Sequence, residues 1–204
     1  MTRFRDGLFF EGRSGDEYGL WVTDGTLWGT HLVWGVSSGG RLSGSSITAF
    51  RNKLFFSAYG ELWATDGTTE GTREWMDINP SGDSDPEGLT VAGPQLFFSA
   101  DDGTHGREPW VTGIRPESTR MLMDIQPSGN SEPRLFTALR GWVVFSAAEV
   151  THGFELWKSD GTEAGTVLVK DINEGTLYGY GEPSYLQHLT EVNGTLFFSA
   201  DDGT

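Results

Sequence analysis

One eight-residue phrase limits what this chain can fold into. Glu61-Leu62-Trp63-Ala64-Thr65-Asp66-Gly67-Thr68 returns as Glu155-Leu156-Trp157-Lys158-Ser159-Asp160-Gly161-Thr162. A looser copy is Gly19-Leu20-Trp21-Val22-Thr23-Asp24-Gly25-Thr26, and a decayed one is Glu108-Pro109-Trp110-Val111-Thr112-Gly113. A phrase that keeps its place in every copy does the same job in each, so the chain is an array of like units.

The rest of the unit repeats around it. Thr2, Thr48, Thr90, Thr137 and Thr190 mark one point in each copy, roughly 45 residues apart. An apolar pair follows at a constant offset: Phe9-Phe10, Phe55-Phe56, Phe97-Phe98, Val144-Phe145 and Phe197-Phe198. Between Thr and pair sit Arg5-Asp6, Arg51-Asn52, Gly93-Pro94, Arg140-Gly141 and Asn193-Gly194. Asn-Gly is the favoured pair for a two-residue hairpin turn with positive φ at both central residues. Each unit therefore opens with a hairpin, its first strand ending near Phe4, Phe50, Ala92, Leu139 or Val192. The third strand carries Trp21, Trp63, Trp110 or Trp157 and runs into the Asp-Gly-Thr turn. A fourth strand is clearest over 166–172, with counterparts over 73–78 and 120–125.

Leu54-Phe55-Phe56 and Leu62-Trp63 are apolar at adjacent positions, so both faces of these strands must be covered. Sheets stacked between two neighbours meet that demand. The expected fold is all-β: a β-propeller-like array of four-stranded antiparallel blades within a single repeat domain, 1–204. Four full units run over about 1–46, 47–88, 89–135 and 136–188, and 189–204 supplies the first hairpin of a fifth. That hairpin would carry an unpaired edge and exposed Phe197-Phe198, which invites a partner strand and hence a homo-oligomer. Its ending in mid-phrase suggests a piece of a longer array.

Composition excludes several classes of partner. A net charge of −15 disfavours nucleic acid and anionic membrane surfaces, which reward clustered Lys and Arg. No apolar run approaches the ~18 residues of a membrane span, so no membrane insertion is expected. The absence of cysteine rules out disulfides, thiolate metal sites and thiol catalysis. Met1-Thr2-Arg3-Phe4-Arg5-Asp6-Gly7 has no apolar core of a signal peptide.

The phrase Glu-Leu-Trp-x-x-Asp-Gly-Thr, followed by Gly-Thr and a strand ending Lys-Asp-Ile, resembles the bacterial ELWxxDGT repeat family, whose repeats run to roughly 47 residues. It stands whole at 61–68 and 155–162, partly at 19–26 and eroded at 108–113, and the Leu-Phe-Phe-Ser-Ala word belongs to the same pattern. The resemblance covers nearly the whole chain. It implies a large, repetitive, extracellular or cell-surface bacterial protein of propeller-like build, with no catalytic residues to carry over. Arg107, Pro109 and Gly113 depart from the pattern and put the third unit's turn in doubt.

Residues present in every unit read first as structure. Trp21, Trp63, Trp110 and Trp157 are core anchors, each able to bury on the order of 150–250 Å². Asp24, Asp66 and Asp160 are turn formers, the carboxylate bonding amides two residues on. Calcium is the alternative use of such oxygen-rich loops, and Asp83, Asp85, Asp101 and Asp102 are the candidate ligands, although none has the Asp-x-Asp-x-Asp-Gly spacing. No other cofactor is expected.

Residues that break the repeat are the better functional candidates. The 173–188 connection is longer than its counterparts and carries Tyr178, Tyr180, Glu182 and Tyr185. Exposed aromatics beside carboxylates suit a sugar, the rings stacking on its C–H face. Trp28 takes the place of Glu70 and Ala164, and Trp142 that of Lys53 and Gln95. The expectation is a non-catalytic binding or adhesion module, lectin-like, for a glycan or a protein partner. A purely architectural segment or self-assembling scaffold is the first alternative. A glycoside hydrolase is the second, because paired carboxylates are abundant.

Overall fold

The two-residue turns set the architecture. In the computed structural model, which describes residues 1–37, 42–177 and 179–204 (43–46 by backbone alone), the first turn residue is left-handed in all five hairpins: Arg5, Arg51, Gly93, Arg140 and Asn193. The second is left-handed only at Gly141 and Gly194. The expectation of positive φ at both positions therefore holds for two turns of five. At Gly93-Pro94 the reason is the pyrrolidine ring, which fixes φ near −65°.

Four antiparallel four-stranded sheets follow in chain order. The first is β1 (Thr2–Phe4), β2 (Gly7–Ser14), β3 (Glu17–Thr23) and β4 (His31–Gly35). The second is β5 (Leu42–Phe50), β6 (Lys53–Ala58), β7 (Glu61–Thr65) and β8 (Arg73–Met76). The third is β9 (Glu87–Ala92), β10 (Gln95–Asp101), β11 (Arg107–Thr112) and β12 (Arg120–Met121). The fourth is β13 (Arg134–Leu139), β14 (Trp142–Glu149), β15 (Gly153–Ser159) and β16 (Val167–Lys170). Two hairpins complete the fold, β17 (Thr176–Leu177) with β18 (Tyr180–Gly181), and β19 (Gln187–Val192) with β20 (Thr195–Ser199). The strands do not close into a barrel.

Register is common to the sheets. Trp21, Trp63, Trp110 and Trp157 lie opposite Phe10, Phe56, Phe98 and Phe145. The fourth strands are shorter than the sequence suggests, stopping at Met76, Met121 and Lys170. The amides of Ile78, Ile125 and Ile172, which would have extended them, are turned instead to a carboxylate in the third strand.

The chain divides into two compact units, Met1–Leu89 and Thr90–Thr204. In the first, Phe4, Phe9, Leu20 and Val33 pack with Leu42, Ile47, Leu54 and Phe56 between the first two sheets. In the second, Phe97, Val111 and Leu122 pack with Val143, Phe145 and Trp157 between the third and fourth sheets. Val144 and Leu156, on the far face of the fourth sheet, meet Leu186, Leu189 and Leu196 beside the last hairpin. Every residue from Leu54 to Ala58, Leu96 to Ala100 and Val143 to Ala147 is buried, so these strands are covered on both faces. In β20, by contrast, Phe197 is 58% exposed.

Within each unit the repeated threonine bonds to the residue just before the next threonine of the series. Thr48 Oγ1 donates to the Leu89 carbonyl at 3.1 Å, Thr90 to Phe136 at 3.2 Å and Thr137 to Leu189 at 3.4 Å, while Thr2 donates to Ile47. The first strands of successive repeats therefore lie side by side in both units.

The Asp-Gly-Thr phrase closes on itself. Asp66 Oδ1 accepts from the Thr68 amide and hydroxyl at 3.0 and 2.7 Å, and Thr68 Oγ1 accepts from the Gly71 amide at 3.0 Å. Asp24 and Asp160 repeat the arrangement. These hydrogen bonds, the threonine hydroxyl's first, hold all three carboxyls below the usual aspartate range. In the third sheet the turn is rebuilt: a single 3-10 turn over Pro116–Ser118 stands in, and Ser118 Oγ accepts from the Gly113 amide at 2.8 Å.

Candidate functional site

The connector between sheets is fixed by the first letter of the repeated phrase. Glu61 begins β7 with its carboxylate buried, where it accepts from the Ile78 amide, the Ser84 amide and the Ser84 hydroxyl at 3.0, 3.0 and 2.7 Å. Glu108 accepts from Ile125 and twice from Ser131 in the same way. Burial pushes both carboxyls up from the ordinary glutamate value, and the three donors oppose that shift without cancelling it. Sequence reasoning missed this role, since a Glu at the start of a strand reads as a solvent-facing residue. The signal was the serine at a fixed distance downstream, Ser84 from Glu61 and Ser131 from Glu108.

In each connector the serine is followed by a left-handed residue. Asp85, Glu132 and Tyr185 follow Ser84, Ser131 and Ser184 and have φ of 43°, 48° and 48°. For a tyrosine this conformation costs roughly 1–2 kcal/mol, and with the side chain 64% exposed burial returns little of it.

The cleft beside Tyr185 has a volume of about 340 Å³, within the ~300–1,000 Å³ range of small-ligand pockets. Phe154 and Tyr185 supply the aromatic walls, Leu186 and Pro183 the apolar lining, and Arg134, Gln187 and Ser146 the polar groups. The Arg134 guanidinium lies over the Phe154 ring, 4.7 Å from its centroid. Ser184 sets the rim, its amide and hydroxyl donating to the Phe154 carbonyl at 3.1 and 3.0 Å. Glu155, buried beneath, takes the amides of Ile172 and Asn173 at 3.0 and 3.3 Å.

The unit Met1–Leu89 has its own cleft of about 500 Å³, at the same place in the repeat. Ser57 stands where Ser146 does, Gly60 where Phe154 does, Asp85 where Tyr185 does and Glu87 where Gln187 does. With Glu11 it carries three carboxylates and no cation among its described lining residues.

The sequence candidates distribute as follows. Tyr185 lines the aromatic cleft. Glu182 lies partly buried beside Gly175, its amide donating to the Gly175 carbonyl at 3.0 Å. Tyr180 is 63% exposed on the β17–β18 hairpin and outside the cleft lining. Tyr178 lies outside the described residues. Trp142 is occupied by Lys158, whose Nζ sits 4.7 Å from its ring centroid. Trp28, in the other unit, is 91% exposed. Trp110 and Trp157 are buried and Trp21 and Trp63 partly so, and their indole N–H groups find no acceptor among the described residues. Arg134 and Phe154 were not singled out in the sequence, because their positions differ in every repeat.

Among the described residues no group of three or more His, Cys, Asp or Glu gathers in a way that could hold a metal ion. Asp101 Oδ1 accepts from the Gly103 amide at 2.7 Å, and Asp102 accepts from the Thr104 and His105 amides at 2.9 and 2.8 Å and from the His105 ring at 2.7 Å. Asp83 packs against Gly60. No family model matches the chain, and no curated protein matches it.

Proposed function

We propose that this chain is a non-catalytic binding module of propeller-like build that takes a glycan in the Arg134–Phe154–Tyr185 cleft. The observation that carries the reading is Tyr185 itself. It stands in a left-handed position that aspartate and glutamate fill in other repeats, and most of its ring faces open space at the mouth of a cleft. Sugars present apolar C–H faces that stack on aromatic rings and hydroxyls that need mixed donors and acceptors, which Gln187 and Ser146 supply. Within each unit, first strands that lie side by side and are bonded through a threonine support the propeller-like build. Resemblance to a repeat family of surface and secreted bacterial proteins agrees with a module presented outside the cell.

Binding of the intact protein to a glycan array tests the reading. Tyr185→Ala should abolish retention of the glycans that the wild type binds while the melting temperature changes little, because the ring removed is exposed and the β-carbon that carries the left-handed strain is kept. Binding unchanged in Tyr185→Ala would move the site elsewhere.

A further inference from the structure

The two equivalent clefts differ in charge, and the difference bears on ligand class. This step rests on reading the Arg134 cleft as a sugar site. Arg134 is the one cation among its described lining residues, in a chain whose net charge is −15. Its side chain is 59% exposed, and the Glu132 carboxylate lies at a long 3.9 Å. The Arg134 guanidinium carbon lies over Phe154, 4.7 Å from the ring centroid, so a charged, planar group stands on the aromatic wall of the cleft. None of the described residues lining this cleft is acidic, whereas the matching positions in the other unit contribute Asp85 and Glu87.

We propose that the Arg134 cleft selects acidic sugars, those bearing a ring carboxylate such as hexuronates. The sugar's C–H face lies on Tyr185, its carboxylate meets Arg134 through two N–H donors, and its hydroxyls reach Gln187 and Ser146. A planar guanidinium fits a carboxylate bidentately, which a neutral hydroxymethyl group cannot match. The carboxylate-lined cleft repels the same ligand, so the chain carries one acidic-sugar site within its described residues.

Calorimetric titration of the full chain with an oligogalacturonate trimer and with the neutral galactose trimer of the same linkage tests this. The acidic trimer should bind at least about tenfold more tightly, the scale of one charge-assisted pair at a half-exposed site. Arg134→Gln should erase that preference, bringing the affinities of the two trimers together; a preference that survives the substitution overturns the proposal. Equal affinity of the two trimers in the wild type overturns the proposal and leaves the sugar-site reading standing. Failure of both to bind overturns the two together. Displacement of the acidic trimer by a glutamate-rich peptide at equal concentration overturns it as well, because the cleft would then read charge without the ring.

Discussion

The clefts of the two units are one piece of architecture with opposite linings. In both, a serine of the connector bonds back to the start of the third strand and is followed by a left-handed residue at the rim. In unit Met1–Leu89 the rim and wall are Asp85, Glu87 and Gly60; in unit Thr90–Thr204 they are Tyr185, Gln187 and Phe154, with Arg134 alongside. The backbone thus specifies where a cleft forms, and the residues that vary between repeats decide what it can hold. The same comparison separates structure from function more cleanly than the repeated phrase does. What recurs (the buried Glu, the inter-sheet threonine and the Asp-Gly-Thr turn) is consumed by hydrogen bonds within the fold.

The aromatic wall should not transfer from one cleft to the other. Gly60 has φ of 77°, and a Cβ there would overlap Asp83. Phe154 sits in β15 after a longer loop, whereas Tyr59-Gly60 is the whole of the turn between β6 and β7. Gly60→Phe should therefore destabilise the protein by about 4 kcal/mol, the sum of a left-handed β-carbon and an overpacked contact. Urea denaturation measures it. A loss under about 1 kcal/mol would mean that the turn can relax, and that the clefts differ by sequence alone.

The anchors beneath the clefts should differ by a smaller margin. Glu61 receives three hydrogen bonds, two of them from Ser84 at the rim. Glu155 receives two amides, and Ser184 turns to the Phe154 carbonyl instead. Truncation strands buried donors, so Glu61→Ala should cost about 3 kcal/mol and Glu155→Ala about 2 kcal/mol. Unfolding midpoints of the two variants give the order directly, and the reverse order would show that the connector over 173–188 depends on Glu155 more than its bonds indicate.

Much of this fold was legible because a repeat displays each decision several times. All five first strands end where the turn residues place them, at Phe4, Phe50, Ala92, Leu139 and Val192. Adjacent apolar residues at 54–56 announced strands covered on both faces. The fourth strands came out short because their length depends on a long-range competitor, the Glu carboxylate that captures Ile78, Ile125 and Ile172. The site was half legible. Tyr185 stood out because it interrupts a pattern, and so did Tyr180 and Trp28, yet only contact in three dimensions separates a cleft-lining ring from a merely exposed one. Arg134 and Phe154 were invisible for the opposite reason: they occupy positions with no pattern to interrupt, and a stacked guanidinium has no local sequence signature.

The smallest effect concerns acid, and its sign divides the recurring carboxyls into two groups. Glu61 and Glu108 have folded-state pKa values raised above 4.5 by burial, so the native state binds their protons more tightly than the unfolded chain does. Their contribution is fully present below 4.5 and is lost as pH rises through the raised value. Asp24, Asp66 and Asp160 are lowered below 3.8, so theirs is present above 3.8 and is lost as pH falls through the lowered value. Acidifying from neutrality toward 4.5 should therefore raise the melting temperature, and acidifying further should lower it. Relief of repulsion in a chain of charge −15 adds to the rise, so the specific part is the difference between wild type and Glu61→Gln, whose neutral amide cannot titrate. The wild type should gain on the variant as pH falls from 7 toward 4.5. Parallel curves across that range would mean that the three donors from Ile78 and Ser84 fully offset the burial of the Glu61 carboxylate, so that the anchor under the acidic cleft is indifferent to pH.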